Sequence, residues 1–120
     1  MSKVPYTKPH TLDGPPMVLT VSTFRMGTDK EAAVKVLEEA SEAREAWQVL
    51  DRCERRELAT CRLDMYPNNK QLDCQRYVDL ADELADVIQA ACNLAARYGL
   101  DMPDAMRRCE ARNRDRGRYQ

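Results

Sequence analysis

The residues of this sequence whose types and spacing could do chemistry form two acidic runs, Glu38-Glu39-Ala40-Ser41-Glu42 and Glu83-Leu84-Ala85-Asp86. At about 100° per helical residue, Glu38, Glu39 and Glu42 fall within an arc of roughly 100°, with Glu42 between the other two. Glu83 and Asp86 lie about 60° apart on a helix of their own. Two antiparallel helices would therefore turn five carboxylates toward one another. Anions gathered this way raise one another's pKa and resist ionisation unless a cation joins them. An oxygen-only donor set selects a hard cation, and magnesium takes a few carboxylates together with water and phosphate oxygens. The sequence lacks the paired His or Cys ligands that zinc prefers, and its one histidine, His10, sits in a proline-rich stretch, so a histidine base is not expected either.

Two ordinary readings compete with a metal site. Acidic residues on a helix usually form a solvated face, and a bundle in which arginines neutralise these carboxylates also suits an arginine-rich chain. Against plain solvation, Ala46 and Val49 share the acidic side of the first helix, while Ser41, Arg44 and Gln48 take the opposite side. On the second helix, Glu83 falls within about 40° of Val87 and Leu94 on the helical wheel. A carboxylate that borders an apolar stripe needs a partner.

The elements that must position these groups are legible from period and punctuation. Thr28 with Glu31 three residues on is a capping box, placed directly before a helix-periodic run from Ala32. Val36, Ala40, Ala43, Trp47 and Leu50 predict one apolar stripe, and helical composition continues to about Met65, with a break expected near Asp51 to Glu54. Tyr66-Pro67-Asn68-Asn69 reads as a turn. A second helix is expected from about Asp73 to Tyr98, lined by Leu80, Leu84, Val87, Ala91, Leu94 and Tyr98 and stopped by Gly99. A third starts at Asp101 or Met102, with Pro103 in its first turn, and runs through Arg112. Residues 1–27, with Pro5, Pro9, Pro15 and Pro16, read as an irregular arm, although Met17 to Phe24 is rich enough in β-branched residues for an extended segment lying across the bundle. The fold class is all-α: a helical bundle over 28–120 behind an irregular arm over 1–27.

At 120 residues the chain can bury only a modest core, so completion by oligomerisation is expected. A net charge of −1 argues against a globally basic nucleic-acid binder, although residues 107–118 hold six arginines against Glu110 and Asp115. No stretch has the length and apolarity of a membrane span or a signal peptide, which makes the cytoplasm the default location. Five cysteines, Cys53, Cys61, Cys74, Cys92 and Cys109, include no C-x-x-C pair and read as free, mostly small-hydrophobe thiols. Trp47, Tyr66 and Tyr98 could stack on a base, but Trp47 and Tyr98 lie on the apolar stripes and are expected in the core.

Taken in order, these motifs resemble the MazG-like all-α nucleoside triphosphate pyrophosphohydrolases, whose pattern is E-E-x-x-E on one helix and E-x-x-D on the next. The similarity runs on through Asn93-Leu94-Ala95, Tyr98-Gly99-Leu100-Asp101 and Ala105-Met106-Arg107 to Arg112-Asn113-x-x-Arg116, and covers roughly Lys35 to Arg118. The interval between Glu42 and Glu83 is longer than usual for that family, as a longer hairpin through Asp51 to Cys74 would explain.

The resemblance implies Glu39, Glu42, Glu83 and Asp86 as ligands of Mg2+, with Mn2+ as a substitute, and Glu38 as a further ligand or the base that orients the attacking water. It implies cleavage of a ribo- or deoxyribonucleoside triphosphate between the α and β phosphates, giving the monophosphate and pyrophosphate. It implies a homodimer or a dimer of dimers, and phosphate contacts from Arg112, Asn113 and Arg116. Lys35 lies within about 40° of Glu39 and one turn earlier, where it can reach a phosphate or simply pair with a carboxylate. Asn93, one heptad after Asp86, can bond a sugar or orient a carboxylate. A specialised relative, such as a phosphoribosyl-ATP pyrophosphohydrolase, is an alternative, as is a non-enzymatic helical module that uses the arginine-rich C-terminal tail to bind a partner.

Overall fold

A computed structural model describes residues 17–54 and 69–119, and all regular structure among them is helical. Helix α1 spans Asp29–Glu54, α2 spans Asn69–Arg97 and α3 spans Met102–Asp115. None of the described helices is long and apolar enough to cross a membrane.

Local chemistry sets the helix ends. The Thr28 N–H donates to Glu31 Oε1 at 3.0 Å and the Glu31 N–H donates to Thr28 Oγ1 at 3.1 Å, the reciprocal capping box expected from the sequence. Gly27 supplies the φ of +66° that leads into it, and a Cβ there would stand 3.2 Å from the Glu31 side chain. At the end of α2 the Leu100 N–H reaches the Ala95 carbonyl (3.0 Å) and the Gly99 N–H reaches the Ala96 carbonyl (3.2 Å), with Gly99 at φ +62°. This is a Schellman stop, in which two otherwise orphaned carbonyls find donors. Asp101 caps α3 by accepting from the Asp104 N–H at 3.0 Å, with Pro103 in the first turn.

Helices α1 and α2 pack against each other as an antiparallel pair. The Asp29 end of α1 meets the Arg97 end of α2, while Ala46 and Val49 face Arg76 and Asp79. Burial on α1 falls on Ala32, Ala43, Leu50 and Cys53, with half-buried Val36 and Ala46 between them. Alternating steps of four and three residues keep that seam on one face, and its alanines let the two backbones approach closely.

Several expectations are corrected. The stripe passes through Glu39 and Ala46 instead of Ala40 and Trp47: Ala40 is exposed, Trp47 is 51% exposed and Tyr98 is 58% exposed, so neither aromatic is core. A pattern built on apolar residues passes over a glutamate and so slides toward the neighbouring tryptophan. Helix α2 begins at Asn69, earlier than Asp73, and α3 continues to Asp115. Cys53 is disulfide-bonded and buried, unlike the free thiol expected, because through-space proximity of cysteines leaves no trace in their spacing. Cys92 and Cys109 are free. The break expected near Asp51 to Glu54 does not occur, since α1 is continuous through Glu54, and Asn69, expected in the Tyr66-Pro67-Asn68-Asn69 turn, opens α2. The continuation of the first helix toward Met65, the rest of that turn and His10 lie outside the described residues.

Residues 17–28 form neither helix nor strand and lie across α2. Gln89 Nε2 donates to the Ser22 carbonyl (2.9 Å), and the Phe24 N–H donates to Asn93 Oδ1 (3.0 Å). Helix α3 has no buried residues, and α1 against α2 is the substantial helix packing of the described chain.

Candidate metal centre

The α1–α2 seam carries a charge where a core side chain would normally sit. Glu39 is only 7% exposed, between Ala32 and Ala43 on the buried face. Opposite it, Glu83 is half-buried and Asp86 exposed. One carboxylate oxygen from each of these three residues can be chosen so that all lie within 4.8 Å of one another. Glu39 Oε2 and Glu83 Oε2 are buried and have no hydrogen-bond partner. Such orphaned acceptors cost free energy unless something donates to or coordinates them. Three converging carboxylates with two orphaned oxygens suit a hard divalent cation.

Glu42 lies beside this trio. Repulsion from the Glu39 carboxylate, then burial, a hydrogen bond with Glu39 and repulsion from Glu83 hold its pKa above the ordinary glutamate value, while Lys35 works in the opposite direction. Glu38 is more exposed and lies 3.7 Å from Lys35 Nζ. Lys35 Nζ is 3.1 Å from Glu39 Oε1, and the hydrogen bond and attraction of Glu39 raise the lysine's pKa. The structure thus brings Lys35, Glu38, Glu39, Glu42, Glu83 and Asp86 into one neighbourhood.

Four sequence-derived site residues stand elsewhere. Asn93 Oδ1 accepts from both the Phe24 N–H and Gln89 Nε2 (2.9 Å), so this amide holds the arm. Asn113 Nδ2 contacts Cys109 Sγ within α3, and the Arg112 carbonyl accepts from the Arg116 N–H at the helix end. No described contact ties Arg112, Asn113 or Arg116 to the acidic cluster.

Arg76, Asp79 and Asp82, beside the cluster, are not among the residues that the sequence singles out. A cavity of about 260 Å3 is lined by Ala46, Val49, Arg76, Asp79, Asp82 and Glu83. Arg76 and Asp79 precede Glu83 by seven and four residues, a same-face spacing that was available as a signal. Arg76 Nη1 lies 3.6 Å from Asp79, and its Nε is buried without a partner.

No protein-family model, curated protein or solved structure matches this chain.

Proposed function

We propose that this chain is a magnesium-dependent nucleoside triphosphate pyrophosphohydrolase that cleaves between the α and β phosphates. The observation that carries the reading is Glu39, a carboxylate at a core position of the helix pair with one oxygen unpartnered and two further carboxylates within reach. Lys35 meets one oxygen of Glu39 and leaves the other, with Glu83 Oε2, buried and unmet, which is costly for a helix seam that serves stability alone. Glu39, Glu83 and Asp86, with Glu42 beside them, would hold Mg2+ or Mn2+. When bound, the ion supplies charge neutralisation on phosphate oxygens and a more acidic attacking water.

The chain's own groups then have distinct tasks. Glu38, less confined than Glu39, orients the attacking water in line with the leaving pyrophosphate. Lys35 offers a point charge to a phosphate oxygen. The cavity beside Glu83 gives the rest of the nucleotide a place to lie. Arg112, Asn113 and Arg116 join the site only if α3 closes on it or a second copy delivers its own. Oligomerisation is part of the proposal because Leu84 and Ile88 on α2, Leu37 on α1 and Met106 on α3 are between 38% and 69% exposed, apolar surface that a second copy would cover.

A second reading is favoured by α3 alone. A helix with no buried residue and an arginine-rich surface suits a partner-binding module.

The test is to incubate the chain with each ribo- and deoxyribonucleoside triphosphate, with Mg2+ or with chelator, and to identify the products. Monophosphate and pyrophosphate in the Mg2+ arm alone are expected, with turnover lowered more than about 100-fold in Glu39→Gln and Asp86→Asn, beyond the usual cost of disturbing a group that only supports a metal ligand. No metal-dependent product with any nucleotide, or full turnover in both variants, rejects the enzyme in favour of the module.

A further inference from the structure

We propose that Lys35 is the resident counter-cation of Glu39 and yields that place when a divalent cation enters, so that metal binding frees an ammonium group beside the site. The inference rests on reading the acidic cluster as a metal centre.

Three observations combine. Lys35 Nζ lies 3.1 Å from Glu39 Oε1 and 3.7 Å from Glu38 Oε2, and no other ion pair among the described residues reaches Glu39, Glu83 or Asp86. The lysine therefore stands where the cluster's missing positive charge belongs. Its compensation is partial, because Glu39 Oε2 and Glu83 Oε2 stay buried and unpartnered. One ammonium on one side of Glu39 leaves those inward oxygens unmet, whereas an ion among the three carboxylates can meet several at once. Finally, the two partners differ in freedom. The Glu39 side chain is 10% exposed and the Lys35 side chain 39% exposed, so the lysine can move outward on its flexible stem while the glutamate stays.

Exchange follows from charge. A dication and an ammonium sharing one carboxylate repel each other, and the singly charged, mobile partner is the one displaced. The freed ammonium remains one helical turn from the ion, where the chemical class it suits is a phosphate oxygen of a metal-bound nucleotide.

Manganese binding to the full chain, followed by electron paramagnetic resonance of the free ion, tests the exchange. Lys35→Met should bind Mn2+ about fivefold more tightly than the unaltered chain, the scale of losing one partly exposed competing ion pair, and Lys35→Arg should stay near the unaltered value. Equal or weaker binding by Lys35→Met, beside clear binding by the unaltered chain, overturns the exchange and leaves the metal centre standing. Absence of Mn2+ binding in both overturns the metal centre and the exchange together. A second readout needs no variant: acetic anhydride should label the Lys35 amine faster in saturating Mg2+ than in chelator, and an unchanged or slower rate also overturns the proposal.

Discussion

Arg97 closes one end of the helix pair on Asp29: its Nη2 lies 2.6 Å and its Nε 2.8 Å from Asp29 Oδ1, and the same guanidinium reaches the Met26 carbonyl at 3.5 Å. The pair joins the first residue of α1 to the last of α2, so it fixes their antiparallel register. Each charge also sits at the helix end whose dipole it complements. The arginine side chain is 6% exposed and the aspartate 63%; removing the acid leaves a buried cation without its partner.

Asp29→Asn should therefore lower the melting temperature at neutral pH, and the deficit should depend on acid. The hydrogen bond from Arg97 and its positive charge lower the Asp29 pKa in the folded chain. A depressed folded pKa contributes stability that is complete above the unfolded value of about 3.9 and is lost as pH falls through the folded value. Thermal melts of both proteins from pH 7 to pH 3 should converge at the acid end. Melting curves that stay parallel throughout would mean that the pair contributes nothing through charge.

What was legible in the sequence was what neighbouring residues decide. Thr28 with Glu31, Gly99 before Leu100, and Asp101 with Pro103 each specify a helix end within a few residues, and the structure has all three. Relationships across the fold were not legible. The arm is tied down by Gln89 and Asn93, residues 67 and 69 positions from their partners, and nothing in the sequence near Ser22 or Phe24 names them. Within the acidic motif, spacing placed the carboxylates on one face, yet it could not show that Glu39 alone would sink into the seam while Glu38 stayed outside.

The relocated stripe gives a paired test. Leu50 is 5% exposed and Trp47 51% exposed. Leu50→Ala should cost about 2–4 kcal/mol through lost burial and the cavity left behind, whereas Trp47→Ala should cost well under half of that in dilute protein, as a partly exposed position allows. Urea unfolding of both variants at low concentration measures the difference. Equal losses would return Trp47 to the core.

Glu42 should behave as an acid held against its preference. With its pKa raised chiefly by Glu39, Glu42 is harder to ionise in the folded chain than in the unfolded one. Its ionisation therefore costs stability that accrues as pH rises from the unfolded value and is complete above the folded value. Below the unfolded value of about 4.3 that cost is absent. Glu42→Gln should thus raise the metal-free melting temperature at pH 7 and lose the advantage near pH 4. In saturating Mg2+ the ordering should reverse, because the substitution removes a carboxylate beside the ion. A variant less stable than the parent in chelator at pH 7 would show that Glu42 is not under repulsion from its neighbours.

Asn93 makes the sharpest distinction between holding the arm and serving a ligand. Its Oδ1 accepts from the Phe24 N–H and from Gln89 Nε2, and Phe24, which is 53% exposed, offers chymotrypsin a cleavage site in a segment without regular structure. Cleavage there follows local opening, and one hydrogen bond is worth about 1 kcal/mol, or about fivefold in the open population. Asn93→Ala should therefore be cut after Phe24 about fivefold faster than the parent, with α1 and α2 still folded by circular dichroism. Asn113→Ala, which alters an amide on α3, should leave the rate unchanged. If Asn93→Ala is cut no faster, the arm is held by Gln89 and Arg97 alone, and the Asn93 amide is available to a bound sugar.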